Sequence, residues 1–171
     1  MRTPFLAVAA LAVVACQRAE TPEQAAARTQ TETEAARPAV EAMMAAYGRH
    51  FSAGHTDSLV AMYMDEAHQL PPNMPPVHGK DGIRQGLAGY FANGPMGELQ
   101  FRVENLVVNG PVAIVRAAWT FTPPAGAPMP ADTGVGIGHW HKVGDQWLIA
   151  EEIWRSNLPA PPPPPAPRRR G

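Results

Sequence analysis

Residues 98–121 read ELQFRVENLVVNGPVAIVRAAWTF, and this stretch decides the fold. Leu99, Phe101 and Val103 alternate with Gln100, Arg102 and Glu104, the period of two expected of a strand with one face covered. Asn109-Gly110-Pro111 supplies the turn, and VAIVRAAWTF resumes as a second β-branched, aromatic run. Downstream the pattern continues as GVGIGHWHKV (134–143) and QWLIAEEIW (146–154), divided by the proline-rich excursion Pro123–Pro130 and the turn Val143-Gly144-Asp145. Four strands with short turns predict an antiparallel meander.

Upstream the period is 3.6. Val40, Met43, Met44, Tyr47 and Phe51 fall on one helical face that Gly54 ends. Thr56-Asp57-Ser58 begins a shorter helix expected to run through Leu59, Val60, Met62 and Tyr63. A third helix carries Ile83, Leu87, Tyr90 and Phe91 and stops at Asn93-Gly94-Pro95. Three helices followed by four strands predict an α+β domain with the helices on one face of the sheet, spanning residues 38–158.

The flanks are unlike this domain. Residues 1–15 hold one charge, Arg2, and an apolar run from Phe5 to Val14. A membrane-spanning helix needs about 20 apolar residues, so the run is expected to be an export signal. Val13-Val14-Ala15-Cys16 resembles the bacterial lipobox, which accounts for the single cysteine as a lipidation site and implies a membrane anchor there. Gln17 after it, rather than aspartate, by the same resemblance implies the outer membrane, facing the periplasm of a bacterial cell envelope. Residues 16–37 are polar and alanine-rich and are expected to be a spacer, although Thr21-Pro22-Glu23-Gln24 has the form of a helix start. Residues 159–171, PAPPPPPAPRRRG, form a proline-rich basic tail that cannot bury a core. A net charge of −1 over 171 residues gives no reason to expect nucleic acid, whose phosphates demand a basic face.

The order of these pieces carries a family resemblance. YGRHFSAGHTDSLVAMYMDEAHQLPPNMPPVHGKDGIRQGLAGYF (47–91), the four strands, and the ending WLIAEEIWRSNLP (147–159) resemble the SnoaL-like and ketosteroid-isomerase-like members of the nuclear transport factor two superfamily. The resemblance implies a cone: a strongly curved antiparallel sheet wrapped around N-terminal helices, with a pocket inside the curve. Its members include isomerases, dehydratases, hydrolases, cyclases and plain binders, so function must be argued from the site. Matching SAGH and MDEA puts Tyr47 where steroid isomerases keep a catalytic tyrosine. Their base position falls on Pro71 and their strand aspartate on Gly138, neither of which transfers a proton. DEAHQLPP is therefore expected to be the rim of a cup.

By the same resemblance Gly136, Gly138 and Trp140 face the cup, as do Arg116, Ala118 and Thr120 on the preceding strand and Ala150, Glu152 and Trp154 on the last. The two glycines would enlarge the cavity, and Tyr63, Trp140 and Trp154 would wall it. An Arg116–Glu152 pair is expected at its polar end, with Tyr47, Tyr63, Arg116, Trp140 and Trp154 meeting a ligand. His139 and His141 have chelate spacing, but they are expected on the other face, towards solvent or a second copy in a homodimer, and no third ligand stands at motif spacing. No metal or other cofactor is therefore called for. The functional expectation is a pocket for a small, mainly apolar molecule, bound without turnover. The alternative is a dehydratase, hydrolase or isomerase that uses Glu152 or His68 as general acid or base.

Overall fold

The structure is a computed structural model that describes residues 19–92 and 97–159. The expected signal peptide, Cys16, the stop at Asn93–Pro95 and nearly all of the proline-rich tail lie outside the described residues.

Helix α1 (Pro22–Ala53) opens on a complete capping box. The Thr21 hydroxyl accepts from the Gln24 N–H, and the Gln24 side chain accepts from the Thr21 N–H. It ends at Gly54, in the left-handed conformation at φ 72°. Residues 22–37, expected as spacer, are the first half of this helix, which continues through Pro38. Polar side chains hold that half to the sheet: the Thr33 hydroxyl accepts from the Val108 N–H, the Glu32 carboxylate accepts from the Gly110 N–H, and Arg28 donates to Asn109. Further along, a Cβ on Gly48 would strike the Leu99 carbonyl, so the helix lies against the next strand at a distance that only glycine permits.

Helix α2 (Thr56–Val60) is followed by β1 (Tyr63–Leu70) and β2 (Val77–His78), then α3 (Gly79–Phe91) and the strands β3 (Glu98–Asn109), β4 (Val112–Thr122), β5 (Asp132–Val143) and β6 (Gln146–Ser156). The expected meander β3–β6 is present, and two strands add to it in the order β2-β1-β6-β5-β4-β3. All neighbours are antiparallel except β1 and β6, which run parallel, so the sheet is mixed. Tyr63, expected at the end of a helix, instead begins β1. MDEAHQL is strand, and only the proline segment after it is rim.

In the antiparallel part of the sheet two bulges set which residues face inward. On β3 the register moves from Val103↔Ala117 to Asn105↔Arg116, leaving Glu104 as an extra residue. On β6 it moves from Ile149↔Trp140 to Glu151↔His139, leaving Ala150 extra. Each bulge flips the alternation and adds bend and twist, which curves an open sheet around its helices. The core fills the concave side. Val40 of α1, Leu59 and Val60 of α2 and Ile83 of α3 pack with Tyr63, Val115, Trp140 and Ile149 of the sheet.

Candidate functional site

On β5 every second residue from Asp132 to Trp140 points into the concavity, and the register extends this face across the sheet. Val115, Gly138 and Glu152 form one row; Ala117, Gly136 and Trp154 the next; Trp119, Gly134 and Ser156 a third. Between these rows and α1 and α3 lies a cavity of about 410 Å³. Tyr47, Trp140, Glu152 and Trp154 line it.

The inward glycines do not simply enlarge this space. A Cβ on Gly138 would strike the Trp140 indole, one on Gly134 would strike the Trp119 ring, and one on Gly136 would touch the Trp154 Cβ at 3.4 Å. Each glycine of β5 thus seats a tryptophan, converting missing side chains into aromatic wall.

Arg116 departs from its expected place. Its partner across the sheet is Ile137, and its guanidinium meets Glu104 at 3.1 Å on the outer face, with the side chain 47% exposed. Inward on β4 are Ala113, Val115, Ala117 and Trp119, while Ala118 and Thr120 belong with Arg116 to the outer set. The reason is energetic: turning Arg116 inward would strand a charge in an apolar cavity and turn Trp119 and Phe121 out. The expected Arg116–Glu152 pair does not exist. Ala150 is the extra residue of the β6 bulge rather than an inward one, and the buried neighbours Trp147 and Ile149 take its place. His68 also faces out, its ring packed on His78 at a centroid separation of 4.6 Å. It cannot serve the cavity as acid or base.

At the inner end of the cavity Tyr47, Gln69 and Glu152 are joined through the buried Tyr63. The Tyr63 hydroxyl donates to Glu152 Oε1 at 2.6 Å, and the Gln69 amide donates to that same oxygen and to the Tyr63 hydroxyl, each at 2.8 Å. The single Tyr63 proton is thereby committed, so the Tyr47 hydroxyl, 2.8 Å away, must be the donor to Tyr63. This sets a directed chain, Tyr47 to Tyr63 to Glu152, with its ends at the cavity and its middle behind the wall: Tyr63, expected to wall the cavity and meet a ligand, is fully buried and does not line it. Gln69 beside it is nearly as buried. Burial pushes the Glu152 carboxyl above the usual carboxylate range, and the hydrogen bonds from Tyr63 and Gln69 oppose that push without cancelling it. The Tyr63 and Tyr47 hydroxyls are pushed up as well, first by burial and then by the neighbouring Glu152 charge.

Gln69 and Trp119 were not among the residues singled out from the sequence. Gln69 needed β1 to be recognised as strand, which would have set it on the same face as Ala67. Trp119 needed the opposite alternation on β4, for which its bulk and that of Phe121 were the available signal.

His139 and His141 share the outer face, with ring nitrogens 3.1 Å apart. No group of three metal-binding side chains occurs among the described residues.

A family model described as SnoaL-like domain matches residues 40–150. Among solved structures, a ketosteroid isomerase-like protein from Erwinia carotovora atroseptica aligns with a TM-score of 0.62 at 20% identity, covering 72% of this chain and 98% of its own. A candidate scytalone dehydratase from Novosphingobium aromaticivorans aligns at 0.60 and 22% identity, covering 75% and 89%. An NTF-2 like protein from Shewanella oneidensis aligns at 0.57 and 20%, covering 69% and 97%. At these identities the likeness is one of fold. A search of curated proteins returns no match.

Proposed function

The chain belongs to the SnoaL-like family, whose wider superfamily includes isomerases and dehydratases, and from that premise we propose that its cavity binds a small, mainly apolar molecule whose one oxygen is met by Glu152. The observation that carries this reading is the double donation to a single oxygen. Because Tyr63 and Gln69 both give hydrogen bonds to Oε1, a protonated Glu152 keeps its own hydrogen on Oε2. With the carboxyl biased towards that form, it offers a donor to a carbonyl or hydroxyl in an otherwise apolar chamber.

Binding without turnover is the first reading because the groups beside Glu152, Tyr63 and Gln69, already spend their donors on Glu152 and on one another, which leaves no second donor there for a developing charge on a substrate. Among the described residues the cavity has one other carboxyl side chain, Asp132, six residues along β5 from the row of Glu152 and roughly 20 Å away at the usual strand rise. The second reading, acid–base catalysis by Glu152, is favoured by the upward direction in which burial moves its carboxyl, the direction a general acid requires.

A matched ketone and hydrocarbon, each displacing a fluorescent apolar probe, test the first reading. The ketone should bind about ten-fold tighter, the worth of one hydrogen bond. That preference should persist in Glu152→Gln, which still donates, and vanish in Glu152→Leu. Equal binding of ketone and hydrocarbon to the native protein would sink the proposal. Exchange of the ketone's α-hydrogens with solvent deuterium, present in the native protein and lost in Glu152→Gln, would establish the second reading.

The anchor and the second copy are proposed on separate grounds. VVAC at the end of the apolar run supports a lipid on Cys16 and residence at the bacterial envelope. Met44, Tyr47 and Phe51 line the cavity near the far end of α1, so that helix would hold the cavity roughly 35–45 Å from Thr21. Ile114, Ile137 and Ile153 stand exposed on the outer sheet face, which supports a second copy packing there.

A further inference from the structure

The cavity offers acids and no bases among its described residues. Its lining among the described residues contains two carboxylates, Asp132 and Glu152, and no lysine, arginine or histidine. A ligand with a carboxylate of its own would bring its charge into an apolar space that holds acids at both ends and no cation to meet it, which is costly on desolvation grounds. A neutral ligand meets no such penalty. A cation gains a partner.

Asp132 is the carboxylate placed to serve as that partner. It is the first residue of β5, on the inward face, directly opposite Phe121 on β4. Its two oxygens are already oriented: Oδ1 accepts from the Thr133 N–H and Oδ2 from the Ser156 hydroxyl, both at 2.6 Å. A carboxylate has about four acceptor positions, so two remain open while the group is held in place, the arrangement that lowers the ordering cost of binding. Asp132 makes no salt bridge with any described residue. Around it stand aromatic groups that also favour a cation. Phe121 is its cross-strand neighbour, and Trp119, seated over Gly134, is the next inward residue of β4. Exposed Met129 and Leu158 complete an apolar mouth at this end.

We propose that the cavity takes an organic amine, with the protonated nitrogen at Asp132 beside Trp119 and Phe121 and the apolar body directed inward towards Trp140. This inference rests on the apolar-pocket reading above and adds the charge class of the ligand and the residue that reads it.

Three probes with one ring system test it: naphthylmethylamine, naphthylmethanol and naphthoate, titrated into the full chain at low ionic strength while displacement of an apolar fluorophore is followed. The amine is expected to bind at least about ten-fold tighter than the carboxylate, with the alcohol between them. Added salt should weaken the amine and leave the alcohol unchanged, because the pair at the mouth is open to screening. Asp132→Asn should bring the amine down to the level of the alcohol without changing the alcohol itself. Carboxylate binding as tight as amine binding, or an amine preference that survives Asp132→Asn, overturns the proposal. If the alcohol binds and the amine has no advantage, only the charge selection fails. If none of the three binds, the apolar-pocket reading fails and this inference with it.

Discussion

Tyr63→Phe isolates the hydroxyl at the centre of the polar chain. The phenyl ring keeps its fully buried position, and the space left is that of one oxygen, too small to admit a water. Three hydrogen bonds are lost at once: the donation to Glu152, and the acceptance from Tyr47 and from Gln69. Gln69 retains Glu152 as a partner, while Tyr47 is left with none of these bonds. With Glu152 protonated, the loss is of neutral bonds within a network that partly re-pairs, about 1–2 kcal/mol. With Glu152 ionised, the bond from Tyr63 is charge-assisted and alone contributes about 1.5–3 kcal/mol, so the total rises to about 2–4 kcal/mol. The pH dependence has a definite sign. The Tyr63 bond lowers the Glu152 pKa, so removing it lets burial push the carboxyl higher still, and the variant's deficit grows as pH rises through the titration of Glu152. Urea denaturation at pH 4 and pH 8.5 brackets the titration. A loss of 2 kcal/mol at the upper pH corresponds to roughly 4–8 °C in Tm for a domain of this size. Tyr47→Phe, which removes only the outermost donor, should cost less and vary less with pH. A Tyr63→Phe deficit below about 0.5 kcal/mol, or one identical at both pH values, would refute the directed chain.

Glu152→Gln should be more stable than the native protein at pH 8.5 and lose that advantage at pH 4. A carboxyl whose folded pKa lies above its ordinary 4.5 loses folding stability as pH climbs from 4.5 through the folded value, and glutamine does not titrate; parallel stability–pH curves would show that burial does not strain the carboxyl. Gly138→Ala should cost about 1–3 kcal/mol in chemical denaturation and alter tryptophan fluorescence, since the new methyl displaces the Trp140 indole; an unperturbed spectrum would mean the wall is not packed as described. Cys16→Ser should release the protein from the membrane fraction of the native host, and equal partitioning of variant and native chain would rule out the lipid anchor.

How far the sequence discloses this molecule depends on where its periodicity holds. The alternation in ELQFRV and the helical stripe Val40–Phe51 describe uninterrupted elements, and the expected helix, four-strand meander and inward Trp140 follow from them. Alternation fails where an extra residue enters. Ile149 and Glu152 are three apart, an odd separation that would put them on opposite faces of a regular strand, yet both line the cavity because the bulge at Ala150 lies between them. Nothing in LIAEEI marks that insertion: the run is equally consistent with either phase, and the partner strand settles it. VAIVRAAWTF is ambiguous in the same way, with apolar residues in both phases, and cavity energetics decide for Trp119 over Arg116. β1 was hidden for a different reason. MDEAHQL has three charged or imidazole side chains because its outer face meets solvent, and its inward face needs only Tyr63, Ala67 and Gln69 to join the core. Gln69 then shows why the polar part of a site is the hardest to foresee. An amide is costly to bury alone and becomes tolerable only beside two acceptors, the Tyr63 hydroxyl and Glu152 Oε1, and the latter comes from a strand 83 residues away in sequence. That long-range satisfaction has no local signature, and it is what turns an apolar cup into one with a directed donor on its wall.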